Sequence, residues 1–190
     1  YLYGPAEQPM LTPRGFCFDG AHVLISDTGQ NRVLIYEGWP GAGYHDPKLV
    51  LGQPSLEASD RNARGRPSAS SLHYPSGIWS DGQRLAVADA WNHRVLLWNQ
   101  FPIHSQQPAD VVLGQKAFTQ MEVNGQGPGA PPSAETLYWP YGLTSDGEQL
   151  WIADTGNRRI LHFVRWPENH GAPADGVLGQ PDFQSRDYDP

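Results

Sequence analysis

A chain of 190 residues with a formal net charge of −7, from 13 Lys and Arg against 20 Asp and Glu, can bury a sizeable core but carries no basic footprint for nucleic acid. Its acidic surface is repelled by anionic lipid headgroups, and no apolar run reaches membrane-spanning length, so membrane insertion is excluded as a reading. The single cysteine, Cys17, rules out an internal disulfide or a cysteine-built zinc cluster, and its place between Phe16 and Phe18 reads as a buried, inert thiol. Seven Trp, 21 Gly and 18 Pro favour short strands and tight turns over helices. The start at Tyr1, without a signal-like segment, fits a processed or excised chain, and the compartment reading leans extracytoplasmic.

In chain order, the first unit opens at Pro13-Arg14-Gly15 and runs through Asp19-Gly20 to Asp27 and Arg32. It then passes Trp39-Pro40 and closes on Val50-Leu51-Gly52-Gln53. The second unit repeats this as Pro75-Ser76-Gly77, Asp81-Gly82, Asp89, Arg94, Phe101-Pro102 and Val112 to Gln115. The third gives Pro140-Tyr141-Gly142, Asp146-Gly147, Asp154, Arg159, Trp166-Pro167 and Val177 to Gln180. Every landmark recurs at offsets of 62 and then 65 residues, and a fixed period of this kind marks a repeat architecture.

Within the middle unit, Gly77 to Ser80 reads as an inner strand and Asp81-Gly82 as a hairpin turn that needs positive φ angles. Leu85 to Asp89 and Arg94 to Trp98 follow as strands around the turn Ala90 to His93, and Asp110 to Gln115 is an outer strand. Four antiparallel strands per unit make one propeller blade, so the expected fold is all-β, with three four-stranded blades in a single domain over 1–190. The blades fall at about 10–56, 72–118 and 137–183, joined by long loops at 57–71 and 119–136, the second read as flexible.

The segments Asp27 to Val33, Asp89 to Val95 and Asp154 to Ile160, each with the preceding Pro-x-Gly and Asp-Gly steps, resemble the signature of NHL repeats over nearly the whole chain. The first copy places Asn31 one position later than Asn92 and Asn157, which predicts a locally altered turn. The resemblance implies a six-bladed ring. Three blades alone would leave two apolar faces bare, so the ring is completed by a second copy of the chain or by a missing half. The first is favoured because the chain holds three whole units, and a two-fold axis would then follow the channel.

Residues common to all units read as structural: the pairs Asp27/Arg32, Asp89/Arg94 and Asp154/Arg159 tie turns and strands together. The repeated aromatics Trp39, Phe101 and Trp166, with Tyr74 and Trp139, read as packing between blades. Function belongs where the copies differ. The resemblance puts the middle residue of each Pro-x-Gly step at the channel mouth, where this chain has Arg14, Ser76 and Tyr141. Amidating lyases of similar fold carry histidines at such steps to hold zinc, and this trio cannot do so. Arg14 offers a fork to a carboxylate or phosphate, and Tyr141 a ring and a hydroxyl. His73 is the best candidate for a functional imidazole, and Trp91 stands where the other units have Gly29 and Gly156. The glycines from Gly125 to Gly129 lack the helix and Lys-Ser/Thr of a phosphate loop, and Asp182, Asp187 and Asp189 read as a solvated tail.

The expected function is therefore non-enzymatic: a scaffold binding a protein, peptide or small ligand through the channel face, without a catalytic set, metal site or required cofactor. The alternative is a propeller lyase or hydrolase using Ca²⁺ or another divalent ion held in the channel.

Overall fold

Short apolar strands punctuated by glycine turns leave each segment only its neighbours to pair with, and the sheets form accordingly. The computed structural model describes residues 10–41 and 45–187, and Asp189 lies outside them. The protein is all-β, with three four-stranded antiparallel sheets and no α-helix among the described residues. The first sheet holds β1 (Gly15–Phe18), β2 (His22–Asp27), β3 (Arg32–Glu37) and β4 (Leu49–Leu51) in chain order. The second holds β5 (Pro75–Ser80), β6 (Leu85–Asp89), β7 (Arg94–Trp98) and β8 (Val111–Leu113). The third holds β9 (Pro140–Ser145), β10 (Leu150–Asp154), β11 (Arg159–Phe163) and β12 (Gly176–Leu178).

Each Asp-Gly step turns the chain as its sequence predicts. Asp19 accepts the backbone N–H groups of Ala21 at 2.9 Å and His22 at 2.7 Å while Gly20 takes φ +96°, and Asp81 and Asp146 repeat the arrangement. The next corner is a 3-10 turn at Thr28–Gln30, Ala90–Asn92 and Thr155–Asn157, closed by Asn31, His93 and Arg158 at φ 54°, 54° and 56°. The displaced Asn31 thus leaves the backbone of the first turn unaltered, because it supplies the left-handed residue that the turn requires. Asn tolerates that conformation better than most side chains.

The repeated Asp–Arg pairs are buried. Arg32, Arg94 and Arg159 each donate Nε–H to Asp27, Asp89 and Asp154 at 2.7 Å, with no exposed side-chain surface on either partner. The other carboxylate oxygen accepts the N–H of Leu11, His73 or Tyr138 from the segment leading into the sheet, at 2.6–2.7 Å. Each guanidinium also reaches the following loop, at the carbonyls of Leu56, Phe118 and Phe183. Every unit is therefore clamped at its entry, its corner and its exit by one ion pair. Burial pushes the Asp27 and Asp154 carboxyls up, against the hydrogen bonds and the paired arginine that pull them down.

Alternation along the strands gives each sheet two apolar faces. Leu24, Val33, Ile35 and Leu51 meet Leu85, Val87, Leu96 and Trp98 between the first and second sheets. On the far side of the middle sheet, Ala86, Val95 and Leu97 meet Leu150, Ile152, Leu161 and Phe163. Before each proline, Phe101 stacks on His22 at 4.2 Å, and Trp166 packs against Trp79 at 5.5 Å and under Arg84 at 4.8 Å. Trp39, the first of the series, is 71 % exposed.

Two features depart from expectation. The outer strands span three residues, not six, because Gly52 and Gly114 at φ +88° and +85° turn the chain to form isolated bridges with Ser71 and Thr136. The loop at 119–136, expected to be flexible, is pinned: Asn124 is buried and exchanges amide hydrogen bonds with Asn157 at 2.8 and 3.1 Å. Asn62 and Asn92 form the same reciprocal pair in the preceding loop.

Candidate functional site

Register decides what converges. Gly15 lies opposite Ser26, Pro75 opposite Asp89 and Pro140 opposite Asp154, so every Pro-x-Gly step sits beside the 3-10 turn of its own sheet. The innermost strands β1, β5 and β9 are neighbours. The residues that break the repeat are thereby gathered at one end of the three sheets.

They form a continuous arc. The Arg14 guanidinium lies 5.1 Å from the centre of the Tyr74 ring, whose other contact is the Trp91 indole, stacked at 4.8 Å and 25°. Trp91 donates Nε1–H to the Tyr141 hydroxyl at 3.3 Å, and the His73 ring meets the indole edge-on at 5.3 Å. Farther along, the buried His93 accepts the Trp139 N–H at 3.2 Å and lies edge-on to Tyr138. Trp91 and Trp139 remain 44 % and 39 % exposed, so their ring surface is open to a partner. Ser76 differs from the rest: it is buried, with Oγ donating to the Tyr74 carbonyl at 3.3 Å, and it braces the arc from beneath.

Trp91 occupies a turn position ill suited to a side chain. At the matching Gly29 and Gly156, an added Cβ would stand 2.7 Å from the Leu11 carbonyl oxygen and 2.6 Å from that of Tyr138. The second sheet admits the tryptophan by standing off. Its Trp91 N–H to His73 carbonyl distance is 3.1 Å, against 2.8 Å at Gly29 and 2.7 Å at Gly156.

Electrostatically the arc is cationic at one end and neutral elsewhere. Burial lowers the pKa of His73, and burial aided by the neighbouring His73 lowers that of His93 to about 4, so both imidazoles are neutral at pH 7. The Cys17 thiol is half-buried, points to the Ser80 carbonyl and is pushed up by burial, away from nucleophilic chemistry. Among the described residues, no group of three or more His, Cys, Asp or Glu side chains is placed to hold a metal ion. What the arc supplies is recognition chemistry: a guanidinium fork, open indole and phenol faces, and neutral imidazoles.

The sequence singles out Arg14, His73, Trp91 and Tyr141 as departures from the repeat, and the fold brings all four together. It does not single out Tyr74, His93 or Trp139 for the site. Tyr74 and Trp139 immediately precede proline and take φ 59° and 51°, as Thr12 does at φ 51° in the first unit, so this costly conformation belongs to the repeat and is not displayed by the sequence. No protein-family model matches this chain, and no curated protein matches it either.

Proposed function

We propose that this chain is a non-enzymatic module of the NHL-repeat propeller type, its sheets acting as blades, which binds a protein, peptide or small ligand through the arc from Arg14 to Tyr141. The observation that carries the reading is Trp91, a large aromatic held half-exposed in a turn where both sister units keep glycine. A side chain that forces its own turn open, then ends up stacked among other unmatched residues, is accounted for by contact with a ligand. The arc suits a partner offering a planar or apolar group to the indoles and a carboxylate to Arg14. The blade reading is supported by two equivalent junctions between successive sheets, and the acidic charge disfavours nucleic acid. Completion of the ring to six blades belongs to the same proposal.

The test is binding of the full chain to a library of carboxylate-bearing peptides, read by tryptophan fluorescence. Trp91→Gly, which restores the sister residue, is expected to keep the fold and weaken binding about tenfold or more. Arg14→Ala is expected to weaken acidic ligands selectively. Wild-type affinity in both variants and in Tyr141→Ala overturns the proposal.

A further inference from the structure

The comparison of units that singles out Trp91 singles out a second place, the loop leading from the first sheet to the second. Adding 62 maps Arg61, Asn62, Ala63, Arg64 and Arg66 onto Val123, Asn124, Gly125, Gln126 and Pro128 of the next loop. The anchoring asparagine is kept, while three uncharged positions around it become arginine. Three of the chain's 13 Lys and Arg thus fall within six residues, all three exposed, so the loop is a basic island on an acidic protein.

The backbone differs as well. Asn62, Ala63 and Arg64 take φ 49°, 51° and 68°, three successive left-handed residues without a glycine among them. In the next loop Asn124 and Gly125 take φ 50° and 72°, and Gln126 returns to φ −141°. Side chains are therefore carried at Ala63 and Arg64 through a conformation that disfavours them.

Two anchors hold this loop against the aromatic arc. Asn62 exchanges amide hydrogen bonds at 3.1 and 2.8 Å with Asn92, the neighbour of Trp91, and its backbone N–H reaches the Leu72 carbonyl at 2.9 Å, next to His73. Asn31 accepts the Tyr74 N–H at 2.8 Å and donates its amide to the Ser59 carbonyl at 2.9 Å. The displaced asparagine of the first unit thereby joins the start of the loop to the ring that stacks on Trp91. Burial lowers the His73 pKa, and Arg61 stands close enough for its charge to lower it further. Arg64 is paired with Asp60 at 2.5 Å, whereas no carboxylate among the described residues pairs with Arg61 or Arg66.

We propose that the loop at 60–66 extends the arc into a bipartite site for an acidic peptide segment, with an aromatic side chain against Trp91 and neighbouring carboxylates on Arg61 and Arg66. The proposal rests on the recognition reading of the arc given above. Unpaired guanidinium forks beside a neutral aromatic platform select carboxylates by charge-assisted hydrogen bonds, which the indoles alone cannot do. A short acidic segment fits a patch of this size, whereas a long polyanion would run on into the acidic remainder of the surface.

The test is titration of the full chain with two labelled peptides, a tyrosine followed by a run of glutamates and the same peptide with glutamines, read by fluorescence anisotropy at low and physiological salt. The glutamate peptide is expected to bind about tenfold or more tighter, an advantage that shrinks as salt rises. The double variant Arg61→Gln/Arg66→Gln, at exposed positions, should keep the wild-type melting temperature and bind the two peptides equally. Arg61→Glu/Arg66→Glu should turn the preference towards a lysine peptide. Equal binding of both peptides by the wild type, no binding of the glutamate peptide, or a glutamate preference that survives the double variant would each overturn the inference. Tighter binding of an oligonucleotide through the same arginines would overturn it too. Trp91→Gly separates this inference from the reading of the arc. If it weakens both peptides while the arginine variants change nothing, the arc stands and the loop's role fails. If the arginine variants abolish the glutamate preference while Trp91→Gly changes nothing, the loop's role stands and the reading of the arc fails.

Discussion

His93 shows how a single residue can serve the turn and the site at once. It takes the left-handed position filled by Asn31 in the first sheet, and each accepts the N–H of the aromatic that precedes the Pro-x-Gly step. That acceptor role demands a neutral ring, and burial enforces it by lowering the pKa to about 4. Because the unfolded chain binds the proton near the ordinary 6.5, stability is full above that value and falls as pH drops from 6.5 towards 4. The loss at the acid end amounts to about 3 kcal/mol from this group. His93→Asn copies the first sheet's solution, so its melting temperature should match the wild type at pH 7.5 and exceed it at pH 5. Parallel pH profiles for the two proteins would refute the assignment. The sequence marks Trp91 by contrast with two glycines, but His93 has no such marker, since Asn31, His93 and Arg158 all differ. The offsets of 62 and 65 make the three positions equivalent, but only the shared left-handed conformation shows what the position does.

At the scale of elements, glycine sets how closely successive sheets approach. Ala at Gly15 would press its methyl into the Ser76 carbonyl, and at Gly77 into the Leu143 backbone, neither of which is the free end of a flexible side chain. Both substitutions should destabilise by about 1–3 kcal/mol, with Gly15→Ala the worse, whereas Gly142→Ala, whose methyl would meet only the Ala153 methyl at 3.4 Å, should be nearly neutral. Urea unfolding at high dilution checks the order, and a large cost at Gly142 under those conditions would contradict it. The strands were legible because Asp-Gly turns and alternating apolar residues act locally. The short outer strands and the pinned 119–136 loop were not, because both depend on partners far along the chain. Gly114 bridges to Thr136, and Asn124 finds its amide partner at Asn157. Composition marks that loop as irregular; it says nothing about whether one buried asparagine anchors it.

For the molecule as a whole, stability in a stacked array is a sum over units and their shared faces, and among the described residues only the middle sheet is covered on both sides. Every residue of β6, β7 and β8 is buried, while all three residues of β12 retain exposure. The outer strands differ in a second way. The Val50 N–H donates to Ser105 Oγ and the Val112 N–H to His170 Nδ1, and the carbonyls of Val50 and Val112 accept the N–H groups of Gln106 and Gly171. Each outer edge is thus closed by the loop of the following unit. Hydrogen exchange at low concentration should therefore be slowest in β6 and β7 and fastest in β12, in step with the local contacts available to each. Uniform protection of all three sheets would mean instead that the array unfolds as one unit.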